Sequence, residues 1–161
     1  MSKFFHLSIF IIFVIAVSSC SDNVVIEEYQ DIPDSKWHVD SLASFEFNIE
    51  DTLTWYDINY YVRYESDYSY FNLYVTYYIE DSVGNVMESK LQDLVLFDKK
   101  TGEPLGKGMG DFYDREIPVF QKYRFKKQGK HFFKIKQFMR MEELPGISAF
   151  GVKIVDATKK E

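Results

Sequence analysis

Leu73-Tyr74-Val75-Thr76-Tyr77-Tyr78-Ile79 carries the clearest structural signal in the 161-residue chain. It is built from β-branched and aromatic residues, with no Gly or Pro to interrupt it. It reads as a strand, in which alternate residues face opposite sides and an apolar and polar alternation marks a half-buried one. Asp81-Ser82-Val83-Gly84-Asn85 follows and has turn composition. Working outward, Phe45-Glu46-Phe47-Asn48-Ile49 and Tyr60-Tyr61-Val62-Arg63-Tyr64 show the same alternation. Further strands are expected at 91–97, 119–125, 132–138 and 149–155, with turns at Lys99-Lys100-Thr101-Gly102 and Lys126-Lys127-Gln128-Gly129-Lys130. A single helical turn is expected at 138–144, ended by Pro145-Gly146. Seven short strands at this spacing predict an all-β fold, one antiparallel β-sandwich of jelly-roll or immunoglobulin-like type.

Composition agrees. Aromatics make up 18% of the chain, and nine of the twelve tyrosines lie between Tyr56 and Tyr78. Tyr and Phe favour strands.

The amino terminus is of a different kind. Lys3 precedes a run at 4–17 that is apolar apart from His6 and Ser8. The run is shorter than the roughly 20 residues of a membrane-spanning helix. Asp22, not a basic residue, lies on its far side. It therefore reads as a secretory signal. Val17-Ser18-Ser19-Cys20 closes it with a hydrophobic residue, two small residues and the only cysteine of the chain, the pattern of a bacterial lipobox. Small residues admit the peptidase, and only a thiol can take the diacylglycerol as a thioether. A lone cysteine in a secreted chain has no internal disulfide partner. Each buried acyl CH₂ contributes about 0.8 kcal/mol, and two or more chains anchor stably.

The expected organisation is a lipoprotein signal peptide at 1–19, a lipidated start and tether at 20–35, a sandwich domain at 36–156 and a polar tail at 157–161. Val24-Val25-Ile26 interrupts the tether, and a reading of it as an edge strand stays open. Without residues 1–19 the chain has 18 basic and 25 acidic residues, a net charge of −7. That balance excludes a nucleic-acid partner and leaves membrane attachment to the acyl chains on Cys20. The mature 142 residues suit one domain with a core that needs no disulfides. A cell-envelope location follows, with the outer membrane expected because Ser21 after the Cys argues against inner-membrane retention. The membrane face stays open.

Catalytic chemistry finds no support, and the chain is not expected to be an enzyme. His38 and His131 stand apart, no Gly-x-Ser-x-Gly occurs, and no cofactor motif is present. Gly106-Lys107-Gly108-Met109-Gly110 lacks the βαβ setting of a dinucleotide loop and marks a bulge or a close backbone approach. Asp111, Asp114 and Glu116 place three carboxylates in an expected loop, the only calcium candidates, although Arg115 sits among them and no full calcium-loop pattern appears. The tyrosine-rich region is the interaction candidate. Tyr60 with Tyr61, and Tyr77 with Tyr78, are adjacent pairs, so one member of each faces away from the other. Aromatics on an open sheet face stack on sugars or anchor protein interfaces.

Several motifs together resemble the GldH family of gliding motility lipoproteins. They are Phe45-Glu46-Phe47-Asn48-Ile49-Glu50-Asp51, Arg63 leading to Tyr70-Phe71-Asn72-Leu73, and Leu105-Gly106-Lys107-Gly108-Met109-Gly110-Asp111. Gln137-Phe138-Met139-Arg140 and Leu144-Pro145-Gly146-Ile147 complete the set. Ser69 and Pro104 depart from the family pattern. The resemblance implies an envelope lipoprotein needed for surface gliding, working beside other envelope lipoproteins, the motility machinery and type IX secretion proteins. It carries over no catalytic residue. The competing expectation is a carbohydrate-binding envelope module.

Overall fold

Alternation of buried and exposed residues in the computed structural model, which describes residues 23–159, sorts the strands into two facing sheets. Cys20 lies outside the described residues, as does the signal segment. One sheet has the order β1-β11-β4-β8-β7 and the other β3-β9-β5-β6, every pairing antiparallel. In chain order the strands are β1 (Val24–Asp31), β2 (Lys36–His38), β3 (Ala43–Ile49), β4 (Tyr56–Glu65), β5 (Asn72–Asp81) and β6 (Val86–Val95). Then come β7 (Lys107–Met109), β8 (Phe112–Tyr123), β9 (Gly129–Gln137), β10 (Glu143–Pro145) and β11 (Ile147–Asp156). β2 and β10 form a separate two-stranded ribbon. This is the antiparallel sandwich that the periodicity predicts.

Each inward row is a simple reading of the sequence. Phe45, Phe47 and Ile49 of β3 are buried, as are Ile58, Tyr60, Val62 and Tyr64 of β4 and Leu73, Val75, Tyr77 and Ile79 of β5. Aromatic contacts cross between the sheets: Tyr60 meets Phe133 with ring centres 5.8 Å apart, and Tyr77 meets Phe120 edge-on at 5.2 Å.

Three expectations give way. Residues 24–31 are not a tether: β1 pairs with β11 from Val24 to Asp31 and buries Ile26. The sandwich begins at the first described residues and not at 36. The acidic side chains that made this stretch look solvated are exposed because β1 is an edge strand: Glu27 and Asp31 lie on its outer face, and Glu28 lies on the inward row but at the rim of the sheet. Residues 138–144 do not make a helical turn. Buried Gln137 donates from Nε2 to the Met141 carbonyl (2.8 Å) and accepts from the Met139 N–H (2.8 Å), closing the segment into a bend that leads to β10. Residues 112–116 are not a loop, since β8 starts at Phe112. Pro118 is tolerated in β8 because β7 reaches only to Asp114 and leaves that stretch of β8 open on one side. Residues 157–159 form a short 3₁₀ turn.

The glycine run is a close backbone approach. A Cβ on Gly106 would lie 2.8 Å from the Asp114 carbonyl oxygen, and one on Gly108 would collide with the Phe112 carbonyl and sit 2.9 Å from Tyr113 Cα. Only glycine lets β7 lie against β8 there.

Candidate functional site

The four tyrosines singled out in the sequence do not share a surface. Tyr60 and Tyr77 are fully buried between the sheets. Their hydroxyls are satisfied inside: Tyr60 donates to Gln92 Oε1 (2.7 Å) and Tyr77 to Glu88 Oε1 (2.6 Å). Tyr61 and Tyr78 point outward, half-buried, from opposite sheets. Nor are Asp111, Asp114 and Glu116 gathered as ligands. Asp114 is forked onto Arg63 (2.8 and 2.9 Å), Glu116 accepts from Asn59 Nδ2, and Asp111 sits in the turn entering β8. Among the described residues no group of three or more His, Cys, Asp or Glu is placed to hold a metal ion. His38 lies on β2 and buried His131 on β9, in different sheets.

Two surfaces have the geometry of binding sites. The first is at the end of the sandwich formed by the β4–β5 connection and the bend after β9. Tyr70, Phe71, Tyr74 and Phe138 are exposed there, the last by 53%. Their bases are held firmly. Tyr68, buried beneath, donates to the Asn72 carbonyl (3.0 Å) and meets Tyr70 edge-on at 5.6 Å. Asn72 Nδ2 donates to Asp93 (2.6 Å). Tyr70 Oη is 3.1 Å from Met141 Sδ, and the Tyr74 N–H is 3.1 Å from Met139 Sδ. Lys99 Nζ lies 4.2 Å from the centre of the Phe71 ring. A cleft of about 510 Å³ runs between Tyr70, Tyr74, Leu91, Phe138 and Arg140. Aromatic, methionine and basic side chains on a fixed base suit an apolar partner surface. The sequence reading missed this site, yet the signal was present: Tyr70-Phe71-Asn72 and Phe138-Met139-Arg140 are among the family-like motifs.

The second is a cleft of about 380 Å³ on the outer face of the β1–β11–β4–β8 sheet. Tyr29 lies across Gly151 and meets Tyr61 with ring centres 5.2 Å apart. A Cβ at Gly151 would come within 2.7 Å of the Tyr29 ring, so the glycine makes the floor. Partial burial pushes both phenols up to about 12, with Glu27 adding to the effect on Tyr29 and Glu116 on Tyr61. Asp31 and the Arg63–Asp114 pair close the other side.

The GldH lipoprotein family matches residues 24–154. A gliding motility lipoprotein GldH homolog of Christiangramia forsetii is 34% identical over 162 residues, covering 96% of this chain and 97% of the relative. The gliding motility lipoprotein GldH of Flavobacterium johnsoniae is 28% identical over 142 residues, with 88% and 86% covered. Among solved structures, an arabinose-bound α-L-arabinofuranosidase aligns at a TM-score of 0.35 and 10% identity, over 83% of this chain and 22% of its own. The match across 24–154 runs from β1 into β11 and takes in both sheets, and the chain belongs to the GldH lipoprotein family.

Proposed function

We propose that the protein is a non-catalytic component of gliding motility, anchored in the outer membrane by acyl chains on Cys20, which binds other envelope lipoproteins or type IX secretion proteins. The observation that carries this reading is the aromatic and methionine surface around Tyr70, Tyr74 and Phe138, which is exposed but held rigidly from below. Such side chains lose little freedom on binding and bury large area, which is how a few residues dominate a protein interface. The names of the two relatives supply the motility context.

A clean deletion should stop colony spreading and leave growth intact. Complementation with a Tyr70→Ala, Phe138→Ala double variant should restore protein level and membrane fractionation but not spreading, and should remove crosslinks to envelope partners seen with the unaltered protein. Spreading at the unaltered rate in the double variant would sink the surface assignment. Cys20→Ala should block incorporation of labelled palmitate, and label in that variant would sink the anchor.

The Tyr29–Tyr61 cleft favours a second reading, a carbohydrate site, because paired phenol rings beside Asp31, Arg63 and Asp114 offer both stacking and hydrogen bonds. Calorimetry with oligosaccharides should then show binding that Tyr61→Ala abolishes. No heat with the unaltered protein would remove it.

A further inference from the structure

The strand connections divide cleanly between two ends. Asn23, just ahead of β1, shares one end with the β3–β4 loop, the β5–β6 hairpin, the β8–β9 loop and the segment after β11. The Asp156 N–H donates to the Asn23 carbonyl (2.7 Å), and the Ala157 N–H donates to the Trp55 carbonyl (2.8 Å). Arg124 lies over the Trp55 ring at 4.1 Å. Lys127 reaches Asp81 of the hairpin at 3.1 Å. The Tyr70–Phe138 surface is at the opposite end.

This end carries apolar residues on its tips. Val83 is 78% exposed, Leu53 72%, Val86 54% and Trp55 39%. Two residues, Ser21 and Asp22, stand between Cys20 and Asn23. Fully extended, the chain from Cys20 to Asn23 spans no more than about 10 Å. Because β1 is part of the sandwich, no long tether separates the domain from a lipidated Cys20.

We propose that this end is a membrane-seating surface, with Leu53, Trp55, Val83 and Val86 resting in the interfacial layer of the bilayer. The proposal rests on the reading of Cys20 as lipidated. Charge is not what draws the end to lipid. Glu50, Asp51, Asp81 and Asp156 stand against Arg124, Lys126, Lys127 and Lys159. Three of these carboxylates are also engaged by the protein: Asp51 accepts from the Leu53 N–H (2.8 Å) and Thr54 Oγ1 (3.0 Å), Asp81 from the Asn85 N–H (2.9 Å), and Asp156 from the Thr158 N–H (2.9 Å). Contact comes from burying apolar tips, and Trp with basic neighbours suits the headgroup level. The seating fixes orientation, so the Tyr70–Phe138 end is presented away from the bilayer.

The test uses the full-length mature lipoprotein in vesicles of phosphatidylethanolamine and phosphatidylglycerol that contain a brominated lipid. With Cys20 blocked as a thioether, Leu53→Cys, Val83→Cys or Ser69→Cys supplies the single thiol for an environment-sensitive fluorophore. The labels at 53 and 83 should shift to the blue and be quenched by brominated lipid, while the label at 69, in the β4–β5 connection, keeps its aqueous emission. Labels at all three positions quenched alike by aqueous iodide would overturn the seating but leave the anchor intact. Protein that fails to float with the vesicles would overturn the anchor, and the seating with it.

Discussion

His131 of β9 is fully buried, and its two ring nitrogens have different surroundings. Nδ1 is 2.8 Å from the Gly129 carbonyl, which can only accept, so Nδ1 carries the proton. Nε2 then presents a lone pair with no hydrogen-bond partner among the described residues. The ring is stacked on Phe47 and tilted against Phe125, with centres 5.7 and 5.4 Å away. A buried acceptor left unpaired costs about 1–3 kcal/mol, whereas an apolar group of similar shape costs nothing of that kind. His131→Phe is expected to hold or raise the unfolding free energy by about 1 kcal/mol, while His131→Ala loses about 3 kcal/mol through the cavity it opens. Urea unfolding of both variants checks this, and a Phe variant as unstable as the Ala variant would show that Nε2 is satisfied in solution. The placement of residues was half legible in the sequence. Alternation put Tyr60 and Tyr61, and Tyr77 and Tyr78, on opposite faces of their strands. The inward members, Tyr60 and Tyr77, share their rows with Val62 and with Val75 and Ile79; what the sequence did not show is that Gln92 and Glu88, distant residues, accept the two buried hydroxyls.

At the level of the element, β6 shows why strand limits were harder to read than strand existence. The apolar pattern marks 91–97, but the strand is Val86–Val95. Glu88 and Gln92 pair in register with Ile79 and Val75, so they share the inward row, where apolar residues are expected. They are polar because the facing surface is polar: Tyr77 and Tyr123 both donate to Glu88 (2.6 and 2.9 Å), and Tyr60 donates to Gln92. The same logic hid β1, whose inward row keeps Ile26 but also takes in Glu28 and Gln30, at the edge of the sheet. Strong alternation exposed β3, β4 and β5 because their inward rows meet apolar neighbours. Glu88→Ala should therefore destabilise the domain by about 2 kcal/mol, since two hydroxyl bonds to a charged acceptor are lost. Glu88→Gln keeps one acceptor and should cost about half as much. The midpoint of urea unfolding should fall in that order with an unchanged slope. Equal midpoints for all three proteins would mean that water replaces the carboxylate at no cost.

Across the whole molecule the core is a continuous chain of rings. It runs from Trp37 through Phe150, Tyr60, Phe133, Tyr77, Phe120 and Tyr123 to Phe125 and Phe47, each neighbour within 6 Å by ring centre. Building a core from tyrosine makes its stability depend on keeping the phenols protonated. Burial pushes Tyr60, Tyr68, Tyr77 and Tyr123 well above their ordinary value, and Glu88 adds to the effect on Tyr77 and Tyr123. In the unfolded chain the same groups lose their protons near pH 10. Above that pH the unfolded state binds fewer protons than the folded state, so stability falls as pH rises. The contribution is fully present below about pH 10 and is lost as pH climbs toward the raised folded values. The protein should thus show an alkaline unfolding transition in which phenolate absorbance of the core tyrosines rises together with loss of far-ultraviolet circular dichroism. Tyr29 and Tyr61, raised only to about 12 at the surface cleft, ionise without that loss. Tyr60→Phe keeps the ring contacts with Phe133 and Phe150 and removes one of the coupled protons, so its transition should be less steep in pH. Full phenolate absorbance reached while the dichroism is unchanged would mean that solvent reaches these hydroxyls in the native sandwich, and the account of the core as a sealed aromatic chain would fail.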